Sequence, residues 1–70
     1  MRYMVVIEQG TDSYGAYVPD LPGCIAAGTT KAEVMQLIQE AIEFHLEGRR
    51  EDGVAVPQPH SYSECVEIHA

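Results

Sequence analysis

One amphipathic segment, residues 30–47, does most to limit the folds that this chain can adopt. Thr30 and Glu33 have the spacing of a capping box, in which each side chain satisfies the other residue's main-chain N–H at the start of a helix. Gly48 then supplies a natural C-cap. Between these signals, side chains that are almost all apolar recur at helical spacing: Val34, Met35, Leu37, Ile38, Ala41, Ile42, Phe44, His45 and Leu46. The pattern predicts one helix that buries one face.

Short runs of β-branched and apolar residues lie on both sides of this helix. Residues 2–8 are apolar on both faces, which favours a central strand, and residues 14–18 pair with them as a hairpin. Residues 24–27 form a short third strand, and residues 64–68 alternate as a half-buried fourth strand does. The predicted architecture is therefore a single α+β domain over residues 1–70, with the element order β-β-β-α-β.

A rigid connector joins the second and third strands. Pro19 and Pro22 lack the N–H that a β-ladder requires, so with Gly23 they are predicted to form a tight structural turn. Leu21 is the only large apolar side chain of this connector, and Asp20 precedes it. We take Asp20 and Leu21 as candidate contacts with a partner.

Acidic residues outnumber basic ones by eleven to four, which gives a formal net charge of −7. This balance argues against nucleic acid and against an anionic membrane as direct ligands, because both require clustered Lys and Arg. A basic protein is the partner that such a charge favours. The helix carries four candidate contacts for it, Glu33, Glu40, Glu43 and Glu47. The alternative is an ordinary solvated helix face.

The sequence offers no pattern typical of catalysis or of metal binding. A nuclease metal site requires converging carboxylates, whereas Glu8 lies at a strand end and the helix carboxylates point away from the apolar stripe. Cys24 and Cys65 are predicted to be small buried apolar residues, and the Cys and His spacings match no zinc pattern. We expect no catalytic residue, no metal and no cofactor. Without a secretory signal or a long apolar run, we expect a cytoplasmic protein.

A single helix can cover only one face of the predicted sheet. Because the first strand is apolar on both faces, the second face needs a cover too, and a second copy of the chain is the simplest candidate. We therefore expect a homodimer or a homotetramer, with residues 19–24 and the open sheet face as candidate contacts.

Four segments of the chain resemble the HicB antitoxin family, in the order in which that family has them. The most distinctive is Tyr-Val-Pro-Asp-Leu-Pro-Gly-Cys at residues 17–24, which resembles the end of the family's second strand and the turn after it. Gly-Thr-Thr-Lys-Ala-Glu at residues 28–33 looks like the approach to the family's helix. Residues 40–42 and 53–59 are also similar to the family pattern, so the resemblance covers nearly the whole chain.

This resemblance implies both a fold and a function. The fold is a partial ribonuclease-H-like one: a three-stranded antiparallel meander, one helix, and a fourth strand beside the first. Members of the family are not nucleases; they bind HicA, a small basic RNA-cleaving toxin, and block it. We therefore expect a stoichiometric inhibitor of a HicA-like toxin, in which acidic residues occupy a surface built for phosphates.

Many members of the family continue into a DNA-binding module, whereas we expect one HicB-like domain without such a module. Two alternatives to the antitoxin remain. One is an orphan self-associating interaction domain with another partner, and the other is a metal-dependent nuclease of the ribonuclease-H class.

Overall fold

Three short strands and one long helix make up the fold in the computed structural model, which describes residues 1–69. Strands β1 (Val6–Gln9), β2 (Tyr14–Tyr17) and β3 (Ile25–Gly28) form an antiparallel sheet in the order β1-β2-β3. Helix α1 (Lys31–Glu51) packs against β2 and β3. The predicted α+β class and the three-stranded meander are confirmed.

The register of the strands separates the sheet into an inner and an outer face. Ile7 pairs with Ala16, and Ala16 pairs with Ala26, so these three residues form one row. Because side chains alternate along a strand, the neighbouring row points the other way. The inner row packs on the helix, and the buried core residues are Ala16, Val18, Leu21, Cys24, Val34 and Ile38.

The helix begins with a cap that differs slightly from the predicted one. The Thr30 hydroxyl oxygen accepts the main-chain N–H of Glu33 at 3.1 Å, as expected. The Glu33 carboxylate, however, accepts the main-chain N–H of Thr29 at 3.1 Å rather than that of Thr30. Two N–H groups outside the helical hydrogen-bond pattern are thereby satisfied, and a negative charge lies at the positive end of the helix dipole.

The end of the helix was predicted wrongly at Gly48, since the helix continues to Glu51. The glycine that ends it is Gly53, whose φ of 69° lies in the left-handed region. There the N–H of Gly53 donates to the carbonyl of Arg50, and the N–H of Val54 donates to that of Arg49. This is a Schellman motif, which satisfies the carbonyls of Arg49 and Arg50 at the end of the helix. Gly48 itself lies within the helix.

The predicted fourth strand is not confirmed, because residues 54–69 contain no helix or strand and residues 64–68 are exposed. Within the described residues β1 pairs only with β2, so it is an edge strand and not the central strand that its apolar faces predicted. A side-chain contact holds the chain after the helix instead, because the Tyr3 hydroxyl donates to the Pro57 carbonyl. The ribonuclease-H-like character of the fold stays a prediction.

Leu21 supplies a direct test of this core, because its side chain is fully buried. We expect Leu21→Ala to lower the free energy of unfolding by about 2–5 kcal/mol, since the substitution removes buried methyl groups and leaves a cavity. Urea denaturation followed by circular dichroism measures the change. Leu37→Ala, at a site 38% exposed, is the matched control and should cost clearly less. Equal losses for the two variants would contradict this description of the core.

Candidate functional site

The connector between β2 and β3 folds as two consecutive turns. The N–H of Leu21 donates to the Val18 carbonyl at 3.1 Å, and the N–H of Cys24 donates to the Leu21 carbonyl at 3.0 Å. In the second turn Pro22 precedes Gly23, whose φ of 86° is that of a type II turn. The N–H of Val18 closes the unit on the Cys24 carbonyl at 3.2 Å. Proline presets the first φ of each turn, so the connector is rigid.

Asp20 lies at the centre of this connector and binds the chain that follows the helix. One carboxylate oxygen accepts the main-chain N–H groups of His60 and Ser61, each at 3.0 Å. The other oxygen accepts the Ser61 hydroxyl at 2.6 Å and lies 3.2 Å from Nε2 of His60. We call these three residues the Asp20 lock. It joins segments that lie 40 residues apart in the sequence.

The environment of the lock favours the ionised carboxylate. The hydroxyl and the main-chain N–H of Ser61 are the main causes that lower the pKa of Asp20 from 3.8 to about 2, and burial opposes them. A carboxylate that receives several hydrogen bonds loses them when it is protonated. The lock is therefore fully formed only when Asp20 is charged.

Asp20 and Leu21 thus have structural roles. The side chain of Asp20 is 1% exposed and Leu21 is fully buried, so neither offers a surface to another molecule. Pro19, Pro22 and Gly23 lie at the corners of the two turns.

The four glutamates of the helix are exposed. Glu33, Glu40 and Glu47 are seven residues apart and form one row along α1, because seven residues make nearly two turns. Glu43 lies one turn from both Glu40 and Glu47, and its carboxylate accepts the side-chain amide of Gln39 at 3.3 Å. We call Glu33, Glu40, Glu43 and Glu47 the acidic face. Glu33 is held toward the start of the helix by its bond to Thr29.

The sequence missed the apolar residue that stands within this face. Phe44 was assigned to the buried stripe, yet its side chain is 81% exposed. It is four residues from Glu40 and three from Glu47, so it lies beside both on the helix surface. Phe44, Glu47, Gly48 and Glu51 line a shallow concavity. The sequence did contain a signal for the exposure of Phe44, which is the width of the predicted apolar stripe. A three-stranded sheet cannot cover an apolar arc that reaches from Phe44 to Leu46.

The outer face of the sheet carries a second exposed apolar row. Val6 pairs with Tyr17, and Tyr17 pairs with Ile25. Ile25 is 70% exposed and Tyr17 is 41% exposed. This row is the open sheet face that the sequence predicted.

The groups considered for catalysis do not come together. Within residues 1–69 no three His, Cys, Asp or Glu side chains are placed to hold a metal ion. Cys24 is buried, and burial raises the pKa of its thiol, whereas Cys65 is exposed and was wrongly predicted to be buried. In this same part of the chain, no helix has the length and apolar character that crossing a membrane requires.

Comparison with known proteins identifies the family. The family model described as HicB_like antitoxin of bacterial toxin-antitoxin system matches residues 3–69. The chain therefore belongs to the HicB-like antitoxins. Its resemblance to that family, carried by the Pro-Asp-Leu-Pro-Gly connector, is confirmed.

Two curated relatives and one solved structure illustrate this similarity. An uncharacterized 14.9 kDa protein of Haemophilus phage HP1 is 41% identical over 66 residues, which are 94% of this chain and 50% of that protein. Antitoxin HicB 2 of Photorhabdus laumondii is 32% identical over 75 residues, covering all of this chain and 51% of that protein. The chain thus spans about half the length of each relative. A chain of the HicA3 and HicB3 toxin-antitoxin complex matches with a TM-score of 0.66 and 29% identity, over 83% of this chain and 72% of that chain.

The Asp20 lock makes the stability of the fold depend on pH in the acid range. A depressed pKa contributes stability that is present above 3.8 and is lost as the pH falls toward 2. We expect Ser61→Ala to be less stable than the wild type at pH 6 and to approach it near pH 2. Urea midpoints between pH 2 and pH 6 measure this, with Ser63→Ala as the control. A constant difference between Ser61→Ala and the wild type would contradict the role of Asp20.

Proposed function

We propose that this protein is an antitoxin that binds a small basic RNA-cleaving toxin of the HicA type and neutralises it stoichiometrically, with no catalytic step of its own. The observation that carries the proposal is the likeness to a chain of the HicA3 and HicB3 complex, at 29% identity over most of this chain. Membership of the HicB-like antitoxins supports the same function.

The acidic face is our candidate for the toxin-binding surface. A protein that cleaves RNA has a cationic surface for phosphates, and a row of carboxylates can compete for it. Glu40, Glu43 and Glu47 are exposed along about two turns of a rigid helix, so their charges are held close together. Complementary charge of this kind raises the rate of encounter and fixes the orientation of the partners.

Phe44 gives this surface an apolar centre. Interfaces gain most of their affinity from a few buried anchors that a polar rim shields from water. Phe44, 81% exposed between Glu40 and Glu47, fits the role of an anchor, and the glutamates fit that of the rim. A face with carboxylates alone would favour a cation without distinguishing among cationic proteins.

Co-purification tests this proposal. The tagged full chain is used to capture partners from a lysate of its source organism, and mass spectrometry identifies them. The proposal requires a small basic protein at near one-to-one stoichiometry, whose RNA-cleaving activity the captured complex lacks. Recovery of this chain alone would favour the orphan interaction domain, as would the absence of a short basic reading frame next to its gene.

Charge reversal tests the acidic face. We expect the double variant Glu40→Lys/Glu47→Lys to bind the HicA-type toxin with an association rate at least about tenfold lower at low salt, and with a weaker salt dependence. Stopped-flow or surface plasmon resonance at several ionic strengths measures both effects. Glu8→Lys/Asp12→Lys makes the same change in net charge away from the helix and should have a smaller effect. Equal losses of association rate in the two double variants would mean that net charge alone, and not the acidic face, speeds the encounter with the toxin.

Truncation of the aromatic anchor tests the centre of the same face. We expect Phe44→Ala to weaken toxin binding at least about tenfold, chiefly through faster dissociation. The substitution removes the contacts that the Phe44 ring would bury in the interface. The stability of the free protein should change little, since the side chain is exposed in the unbound chain. Calorimetry gives the affinity. Phe44→Leu, which keeps most of the apolar area, should recover part of it, and unchanged affinity in Phe44→Ala would remove Phe44 from the interface.

A further inference from the structure

The segment 62–69 projects from the rest of the domain. The radius of gyration of the chain is 14.0 Å, whereas a compact chain of this length has about 11 Å. The longest dimension is 49 Å, which exceeds the length of about 32 Å that the 21 residues of α1 reach. All residues of this segment are exposed. Its contacts with its own domain therefore contribute little burial.

This segment has the composition of a strand that lacks a partner. In extended conformation Tyr62, Val66 and Ile68 share one side, and these side chains are 76–79% exposed. Ser63, Cys65 and Glu67 share the opposite side. Within residues 1–69, the main-chain groups of the segment have no main-chain hydrogen-bond partner. A segment of this kind is ready to add to the edge of a sheet.

The domain also carries a free sheet edge next to an open apolar groove. β1 pairs only with β2 among the described strands, so its other edge is open. Beside it lies a groove of about 490 Å³ between the first residues of the chain and α1. Its apolar lining is Met1, Tyr3, Val5, Met35, Ile38, Ile42 and Leu46, and its polar lining is Gln39, Glu43 and Arg50. β3 has a free edge too, but α1 packs against β3 and leaves the β1 side uncovered.

The residues that precede the segment carry the chain from Tyr3 to the β2–β3 connector. The Pro57 carbonyl accepts the hydroxyl of Tyr3 in front of β1, and four residues later Ser61 is held by Asp20 in the β2–β3 connector. The chain has therefore crossed the end of the sheet before the segment begins. A return to its own β1 edge would require a reversal, and residues 61–69 contain no Gly or Pro.

We propose that two copies of this chain exchange the segment 62–69, each copy adding it as a strand to the free β1 edge of the other. Tyr62, Val66 and Ile68 then cover the groove of the second copy, and Arg50 at the rim supplies a cation for Glu64 on the same side. The exchange is reciprocal, so it closes into a two-fold dimer. This dimer does not depend on the toxin.

The mass of the purified chain in solution tests this interface, with light scattering and sedimentation under reducing conditions that keep Cys65 from cross-linking. We expect a dimer for the wild type and a monomer for Val66→Asp/Ile68→Asp, with a dissociation constant raised at least about a hundredfold. Ser63→Asp/Cys65→Asp adds the same charge on the opposite side of the segment and should remain a dimer. Far-UV circular dichroism verifies that every variant keeps its helix.

A mixing experiment distinguishes this exchange from other interfaces. Met35→Asp places a charge in the groove at a site that is 43% exposed, and it should also give a monomer. When Met35→Asp is mixed with Val66→Asp/Ile68→Asp, one intact segment meets one intact groove. We expect dimers to reappear in the mixture only. A monomeric wild type, a dimer that survives Val66→Asp/Ile68→Asp, or a mixture that stays monomeric would each overturn the proposal.

Discussion

The carboxylate of Asp20 is the contact on which the arrangement of this domain depends. It lies within a rigid pair of turns, and it fixes a chain segment that has no regular structure of its own. A buried charge is costly unless hydrogen bonds satisfy it, and here Ser61 and the main chain supply them. Without this carboxylate, the hydrogen bonds left between residues 55–69 and the preceding part of the described chain would be those from the Tyr3 hydroxyl to the Pro57 carbonyl and from the Arg49 side chain to the Ala55 carbonyl.

This anchoring decides which surfaces stay available. Because the chain after the helix crosses the end of the sheet, it covers neither the groove beside β1 nor the exposed side of α1. The two proposed interactions therefore use adjacent sides of the helix, and Glu43, which belongs to the acidic face, also lines the groove. In the proposed dimer the groove receives a strand from a second copy, and in the proposed toxin complex Phe44 and the acidic face contact the toxin.

Local signals in the sequence were sufficient for much of the fold. The Thr30 cap, the turn prolines and Gly23 act on residues within four positions of themselves, so their effects could be predicted. The helix end at Gly53 could not, because two glycines five residues apart are both suitable caps. The residues that follow Gly48, Arg49 and Arg50, have good helix propensity, which favours continuation of the helix past the first glycine.

The features that the sequence did not reveal depend on distant contacts. The hydrogen-bond partners of Asp20 lie about forty residues later in the sequence, so the residues around Asp20 indicated only a turn. The exposure of Phe44 depends on where the sheet ends beneath the helix. The prediction of a fourth strand is not confirmed for a related reason. An alternating pattern indicates a strand, but it does not say which sheet edge, in the same copy or in another, the strand pairs with.

We propose that this protein neutralises a HicA-type toxin by occupying it, and a titration is the sharpest test of that proposal. A fixed amount of the HicA-type toxin is mixed with an RNA substrate, and cleavage is measured while this protein is added. We expect cleavage to fall linearly and to end at one chain per toxin, since tight binding leaves no free toxin. Cleavage that persists at a large excess of this protein would contradict it.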